Sequence, residues 1–268
     1  MIRTKQLLLV AAVWLAVTSS AFATVQTKSI EYKDGDVALE GYLAWDDART
    51  GKLPGVLVVH EWWGLNDYAK GRARELAAMG YVAFALDMYG KGVVAKTPAE
   101  AGELAGKFRG ADRSLMRRRA TAGLEVLLRQ DYVDPARVAA IGYCFGGTTV
   151  LELARSGAAI AGVVSFHGGI DTPDPADAKR IKAKVLVLSG AADRSVTPEQ
   201  IKIFTDSMNA AGVDWAMTSY GGAVHGFTNP ANGNDPSKGV AYDAKADRRS
   251  WQAMKDFFAE IFAEKKTE

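Results

Sequence analysis

Cysteine occurs once in the 268 residues, as Cys144, and histidine three times, as His60, His167 and His225. A single thiol excludes an intramolecular disulfide framework and any multi-cysteine zinc or iron-sulfur site. The histidines stand far apart, with no H-E-x-x-H spacing, so a metalloenzyme is not expected and no metal or other cofactor is assigned. Neither sign of charge prevails, with 33 lysines and arginines against 31 aspartates and glutamates. The one basic block, Arg117-Arg118-Arg119, falls inside a helical pattern, which gives no support to nucleic acid or an anionic membrane as a partner.

A long apolar run is also missing. The stretch Leu7 to Val17 is shorter than the ~20 residues a membrane-spanning helix needs. Arg3 and Lys5 precede it and Ala21-Phe22-Ala23 closes the segment. This order predicts a secretory signal peptide over residues 1–23, cleaved after Ala23, and a periplasmic or secreted protein. No cysteine follows the cleavage site, so no lipid anchor forms there and no stable membrane anchor is expected after cleavage. Without Arg3 and Lys5 the positive charges also number 31, and the mature chain is formally neutral.

What is present is the balance of a globular protein, 48% hydrophobic and 24% charged. No repeat, low-complexity tract or long linker divides residues 24–268, which read as one α/β domain; a monomer is favoured. Ser29–Lys33 and Val37–Ala44 flank Asp34-Gly35-Asp36 as an N-terminal hairpin. Gly55–His60 is a buried strand, and Asn66 or Asp67 caps a helix through Ala77. Tyr81–Leu86 is the next strand, and Thr97-Pro98 opens a helical stretch running in pieces to about Arg129. Arg137–Ile141, Ile160–Phe166, Val185–Leu188 and Val213–Tyr220 are further strands. Helices are expected over Phe145–Arg155, after Thr197-Pro198-Glu199, and along the stripe Trp251, Met254, Phe258, Phe262. The alternation implies a mainly parallel sheet covered on both faces, with ligands at the carboxyl ends of the strands.

Strand Arg137–Ile141 leads into Gly142-Tyr143-Cys144-Phe145-Gly146-Gly147 and then a helix. This is a G-x-C-x-G nucleophile elbow with cysteine in place of serine. Side chains at Gly142 and Gly146 would crowd the neighbouring helix and strand, and the helix aims its positive dipole end at the sulfur. A lone cysteine more often simply fills space, but glycine on both sides of a strand-to-helix switch favours the elbow. Downstream, Asp193 and His225 each follow a strand. Nucleophile, acid, histidine is the α/β-hydrolase order, and Cys144, Asp193 and His225 are the candidate triad.

These residues resemble the dienelactone hydrolase family. The resemblance rests on His60-Glu61-Trp62-Trp63-Gly64-Leu65-Asn66, Asp87-Met88-Tyr89-Gly90, the elbow, Ser165-Phe166-His167-Gly168-Gly169, Asp193 and His225-Gly226-Phe227. It implies an α/β-hydrolase fold and cleavage of a small ester or lactone through a thioester on Cys144. It further implies that Glu61 sits beside the thiol and holds it neutral at rest, although a merely buried hydrogen bond would suit Glu61 equally. Backbone N–H groups of Trp62 and Phe145 would form the oxyanion hole. Trp62 and Trp63 would wall a pocket, or pack as core. Substrate would meet Tyr89 and the two positions where the family places carboxylate-binding arginines, here Lys91 and Asn229. Lysine keeps a point charge without the bidentate fork and asparagine carries none, which weakens the case for dienelactone itself. His60 and His167 read as loop anchors. A general carboxylesterase, a non-catalytic ligand binder and a thiol sensor remain the alternatives.

Overall fold

The computed structural model describes residues 24–263, and the signal-peptide expectation for residues 1–23 lies outside the described residues. Strands β1 (Val25–Asp34) and β2 (Val37–Asp46) form the antiparallel hairpin, turning through Gly35 at φ 59°. β1 starts at Val25 rather than Ser29. Its first residues are largely polar and its partner lies on one side only, so the apolar alternation that marks a strand in sequence is absent there.

Next come β3 (Leu53–Val59), α1 (Asp67–Ala78), β4 (Val82–Leu86), α2 (Pro98–Gly106), α3 (Ser114–Leu128), β5 (Val133–Tyr143), α4 (Phe145–Arg155), β6 (Gly162–Phe166), β7 (Lys184–Gly190), α5 (Pro198–Ala210), β8 (Trp215–Tyr220) and α6 (Ala244–Ile261). They build an eight-stranded sheet in the order β1-β2-β4-β3-β5-β6-β7-β8. β2 is antiparallel to both neighbours, and the other pairings are parallel. α1 begins where expected, with Asn66 accepting from Ala69 N–H. The stretch from Thr97 to Arg129 resolves into α2 and α3. β5 begins earlier than Arg137 because Val133 and Asp134 pair with Leu53 and Pro54 before a register shift. Pro135, which has no N–H to offer a ladder, lies in the shifted segment.

The period-two alternation of the strands divides the core between two faces. Leu57 and Val59 of β3 face one side, with Met116 and Ala120 of α3, Val150 of α4 and Phe204 of α5. Val56 and Val58 face the other, with Leu76 of α1 and Met254 and Phe258 of α6. The connection from β3 goes to β4 on one side, and the chain then crosses to β5 on the other. That reversal opens a crevice between the carboxyl ends of β3 and β5, the place where open α/β sheets bind ligands.

Candidate active site

Cys144 stands between the end of β5 and the start of α4 with φ 54° and ψ −114°. A non-glycine residue in this region carries ~1–3 kcal/mol of strain that the surroundings must hold. They do so from every side. The Cys144 N–H donates to Phe166 O at 3.0 Å and to His167 Nδ1 at 3.1 Å, while its carbonyl accepts from Gly147 N–H at 3.0 Å. A Cβ on Gly142 would collide with the Gly146 carbonyl, and one on Gly146 with the Val59 carbonyl. The bend therefore brings α4 so close to β5 and β3 that only glycine fits at both places.

The thiol points at the histidine. His225 Nε2 lies 3.0 Å from Cys144 Sγ, and His225 Nδ1 lies 2.8 Å from Asp193 Oδ2. Asp193 follows β7 and is buried, its other oxygen accepting from the Ser195 N–H at 2.9 Å and hydroxyl at 2.6 Å. Burial opposes its ionisation, but His225 and Ser195 together lower its pKa. Burial likewise opposes charge on His225, yet the adjoining Cys144 and Asp193 push its pKa up to about 10. The three side chains thus form one hydrogen-bonded line in which an imidazolium is favoured between sulfur and carboxylate.

Glu61 lines the same cavity as Cys144 but does not hydrogen-bond to it. Its Oε2 accepts from Asn229 Nδ2 at 2.6 Å. Burial raises the Glu61 pKa, and the Asn229 amide and the charges of His225 and Arg72 partly offset that rise. Asn229 is itself buried and also accepts from Ala231 N–H. It secures Glu61 and is not among the residues that line the cavity, which corrects the expectation placed on it. Lys91 is a second correction: it lies outside the cavity lining, half-exposed, with Nζ 2.5 Å from Glu31 Oε1 on the hairpin. The third is Tyr89, whose hydroxyl donates to Trp62 O at 2.9 Å and whose ring packs on Phe145. Tyr89 fixes the Trp62 backbone from behind and does not line the cavity.

Trp62 and Trp63 do line it, edge to face at 5.2 Å. The Phe145 N–H opens α4 and so has no intrahelical acceptor. His60 ties the loop after β3 to the loop after β4, its Nδ1 donating to Glu61 O at 2.5 Å and its Nε2 accepting from Met88 N–H at 3.2 Å. Burial lowers the His60 pKa, consistent with this neutral form.

Several contributors left little trace in the sequence. His167, at φ 41°, accepts the Cys144 N–H on Nδ1, so its Nε2 donates to Thr228 Oγ1 at 2.7 Å. Thr228 meets the Tyr68 hydroxyl at 2.6 Å, and the buried Arg72 reaches Thr228 O at 3.0 Å and Asp247 Oδ1 at 2.7 Å. This chain of polar groups runs from the elbow through α1 to α6. Burial, then the neighbouring His225 charge, hold His167 well below the usual histidine pKa. The cavity measures about 580 Å³, and Arg109, Arg113, Arg194 and Lys238 also contribute to its wall. Among the described residues no three histidine, cysteine, aspartate or glutamate side chains gather as a metal-binding group.

Comparison with known proteins agrees with this architecture. The profile of the dienelactone hydrolase family matches residues 39–262. A dienelactone hydrolase-like promiscuous phosphotriesterase from metagenomic libraries is 44% identical, superimposes with a TM-score of 0.84, and is matched over 89% of this chain and 99% of its own. The solved protein called m3DLH is 43% identical, with a TM-score of 0.85 and the same coverage of 89% and 99%. A protein of Aquifex aeolicus with the provisional name carboxymethylenebutenolidase is 28% identical over 234 residues, 85% of this chain and 96% of that one. With a family profile spanning nearly every described element, and an elbow followed by acid and histidine on the loops after β7 and β8, the chain belongs to the dienelactone hydrolase family of hydrolases.

Proposed function

We propose that this hydrolase is an exported enzyme that cleaves a small ester or lactone through a thioester on Cys144. The observation that carries the reading is the line Cys144 Sγ, His225, Asp193, with contacts of 3.0 and 2.8 Å, set on a strained strand-to-helix bend. The sulfur attacks the acyl carbon, and the carbonyl oxygen becomes an oxyanion facing the N–H groups of Trp62 and Phe145. A donor of this kind contributes about 2.7–4 kcal/mol to the transition state. The tetrahedral adduct collapses with loss of the alkoxide, which takes the proton of the His225 imidazolium. Neutral His225 then removes a proton from water, the hydroxide attacks the thioester carbon, and the sulfur departs as thiolate beside the re-formed imidazolium. Asp193 fixes the Nδ1–H tautomer throughout.

Cys144→Ala is the direct test. Hydrolysis of p-nitrophenyl butyrate at the wild-type rate by that variant would sink the proposal. The wild type, quenched in acid during turnover, gains the butyryl mass on the peptide containing Cys144. Export is tested separately, by N-terminal sequencing of protein recovered from the periplasmic or culture fraction: a mature chain beginning at Thr24 is expected, and one beginning at Met1 refutes cleavage.

A further inference from the structure

Among the described residues, the non-glycine positions with positive φ are Cys144 at 54° and His167 at 41°. The first is the elbow. The second follows β6, and Gly168 and Gly169 come directly after it. A left-handed position is cheap for glycine and costly for histidine. At His167 the ring, rather than the backbone, is therefore what the position serves.

That ring lies on the seam between nucleophile and base. Its Nδ1 accepts from Cys144 N–H at 3.1 Å, and its Nε2 donates at 2.7 Å to the hydroxyl of Thr228, three residues beyond His225. It also stands edge to face against His225 at 5.4 Å and Phe227 at 5.1 Å. The His167 N–H donates to Leu188 O at 2.8 Å, which fixes the residue to the end of β7. Both His167 and Thr228 are buried.

The topology gives such a ring a task. β6 and β7 separate β5, which leads into Cys144, from β8, which precedes His225. Three strand spacings amount to about 14 Å, so the loop after β8 must reach back across two strand ends. Among the described residues no backbone hydrogen bond joins residues 221–229 to residues 142–147. Apart from the contact of Cys144 with His225 itself, the hydrogen-bonded bridge between the two segments is the His167 ring.

We propose that His167 is a positioning residue for hydrolysis, a neutral spacer that sets the separation of Cys144 Sγ and His225 Nε2 by holding the Cys144 N–H and the Thr228 hydroxyl at its two nitrogens. The role goes beyond anchoring a loop and rests on the hydrolase reading above. It requires the neutral ring, because a protonated Nδ1 could not accept from Cys144. Burial, then the charge of His225, keep the ring in that form.

Thr228→Val removes the acceptor at one end of the spacer. His167→Asn shortens it, and asparagine tolerates the positive φ. The titratable groups facing His225 are Cys144, Asp193, Glu61 and His167. Since Cys144 helps to raise the His225 midpoint to about 10, moving His225 away from the sulfur must lower it. In imidazole NMR titrations of the intact protein, that midpoint falls by at least about half a pH unit in each variant. In parallel, kcat for p-nitrophenyl butyrate falls at least about tenfold while KM stays within about twofold. Thr228→Ser, which restores the hydroxyl, recovers most of both losses. A lower Tm with an unmoved midpoint, in either folded variant, overturns the proposal and leaves the ring as packing; if Thr228→Val does not fold, His167→Asn alone decides. Hydrolysis at the wild-type rate by Cys144→Ala overturns the hydrolase reading instead, and the NMR midpoints still decide whether His167 spaces the pair.

Discussion

Replacing Asp193 by Asn removes the charge beside His225 while keeping the shape of the side chain. The carboxylate oxygen lies 2.8 Å from Nδ1, in a side chain 1% exposed against 21% for His225. Two unit charges about 4 Å apart at an effective dielectric of about 20 interact by about 4 kcal/mol, which corresponds to about three pH units. The partial exposure of His225 and the polar amide left behind reduce this to about two. Because a nearby anion raises a histidine pKa, its loss must lower it: the His225 midpoint falls from about 10 to about 8 in the variant. Imidazole NMR titration reads this directly. His60 and His167 are both held below the ordinary histidine value by burial, so His225 is the one ring of the three expected to titrate above neutrality. The alkaline limb of kcat/KM shifts down by the same interval, because only the imidazolium can protonate a departing alkoxide. A midpoint that stays near 10 in Asp193→Asn, or a second histidine titrating above neutrality, would refute the charge balance drawn for the site.

Two further substitutions separate parts of the architecture. Gly146→Ala places a methyl group against the Val59 and His60 carbonyls; overpacking of this kind costs about 1–3 kcal/mol, so calorimetric melting shows a lower Tm together with a loss of kcat as the elbow shifts. Lys91→Ala, by contrast, removes only half-exposed pairs with Glu31 and Glu40, and kcat/KM for carboxylated and neutral esters remains at the wild-type value; a selective loss with the carboxylated ester would restore Lys91 to the substrate pocket.

The elements that position the site were legible because their signals are local. Valine-rich buried strands, Thr97-Pro98 and Thr197-Pro198 as helix starts, and the glycines around Cys144 each declare themselves within a few residues. Family resemblance pointed to Glu61 in the cavity, and chain order pointed to Asp193 and His225. What could not be read was direction. Lys91 and Tyr89 follow the same strand as neighbours in a motif, yet one turns to the hairpin and the other behind Trp62. Asn229 was read by what its side chain lacks, whereas the fold uses its amide to hold a carboxyl group from β3's loop. The arginines of the cavity lie between α2 and α3, at the α3 cap or in the loop after β7, where no periodicity distinguishes a buried guanidinium from a solvated one. The polar chain from His167 to Asp247 joins residues remote in sequence and so offers no spacing to recognise.

That last chain bears on the order in which the molecule becomes functional during synthesis. Arg72 emerges early, on α1, but its guanidinium finds Thr228 O and Asp247 only after the loop carrying His225 and the start of α6 have followed. Until then Arg72 has only Tyr68 and Glu75 of its own helix as partners, and the backbone after His225 lacks the Ala241 and Asp243 N–H groups that grip it. A nascent chain that has completed the elbow therefore has a nucleophile without a working base. Hydrolytic competence therefore waits on the docking of α6, which makes activity a report on whether that helix has reached Arg72.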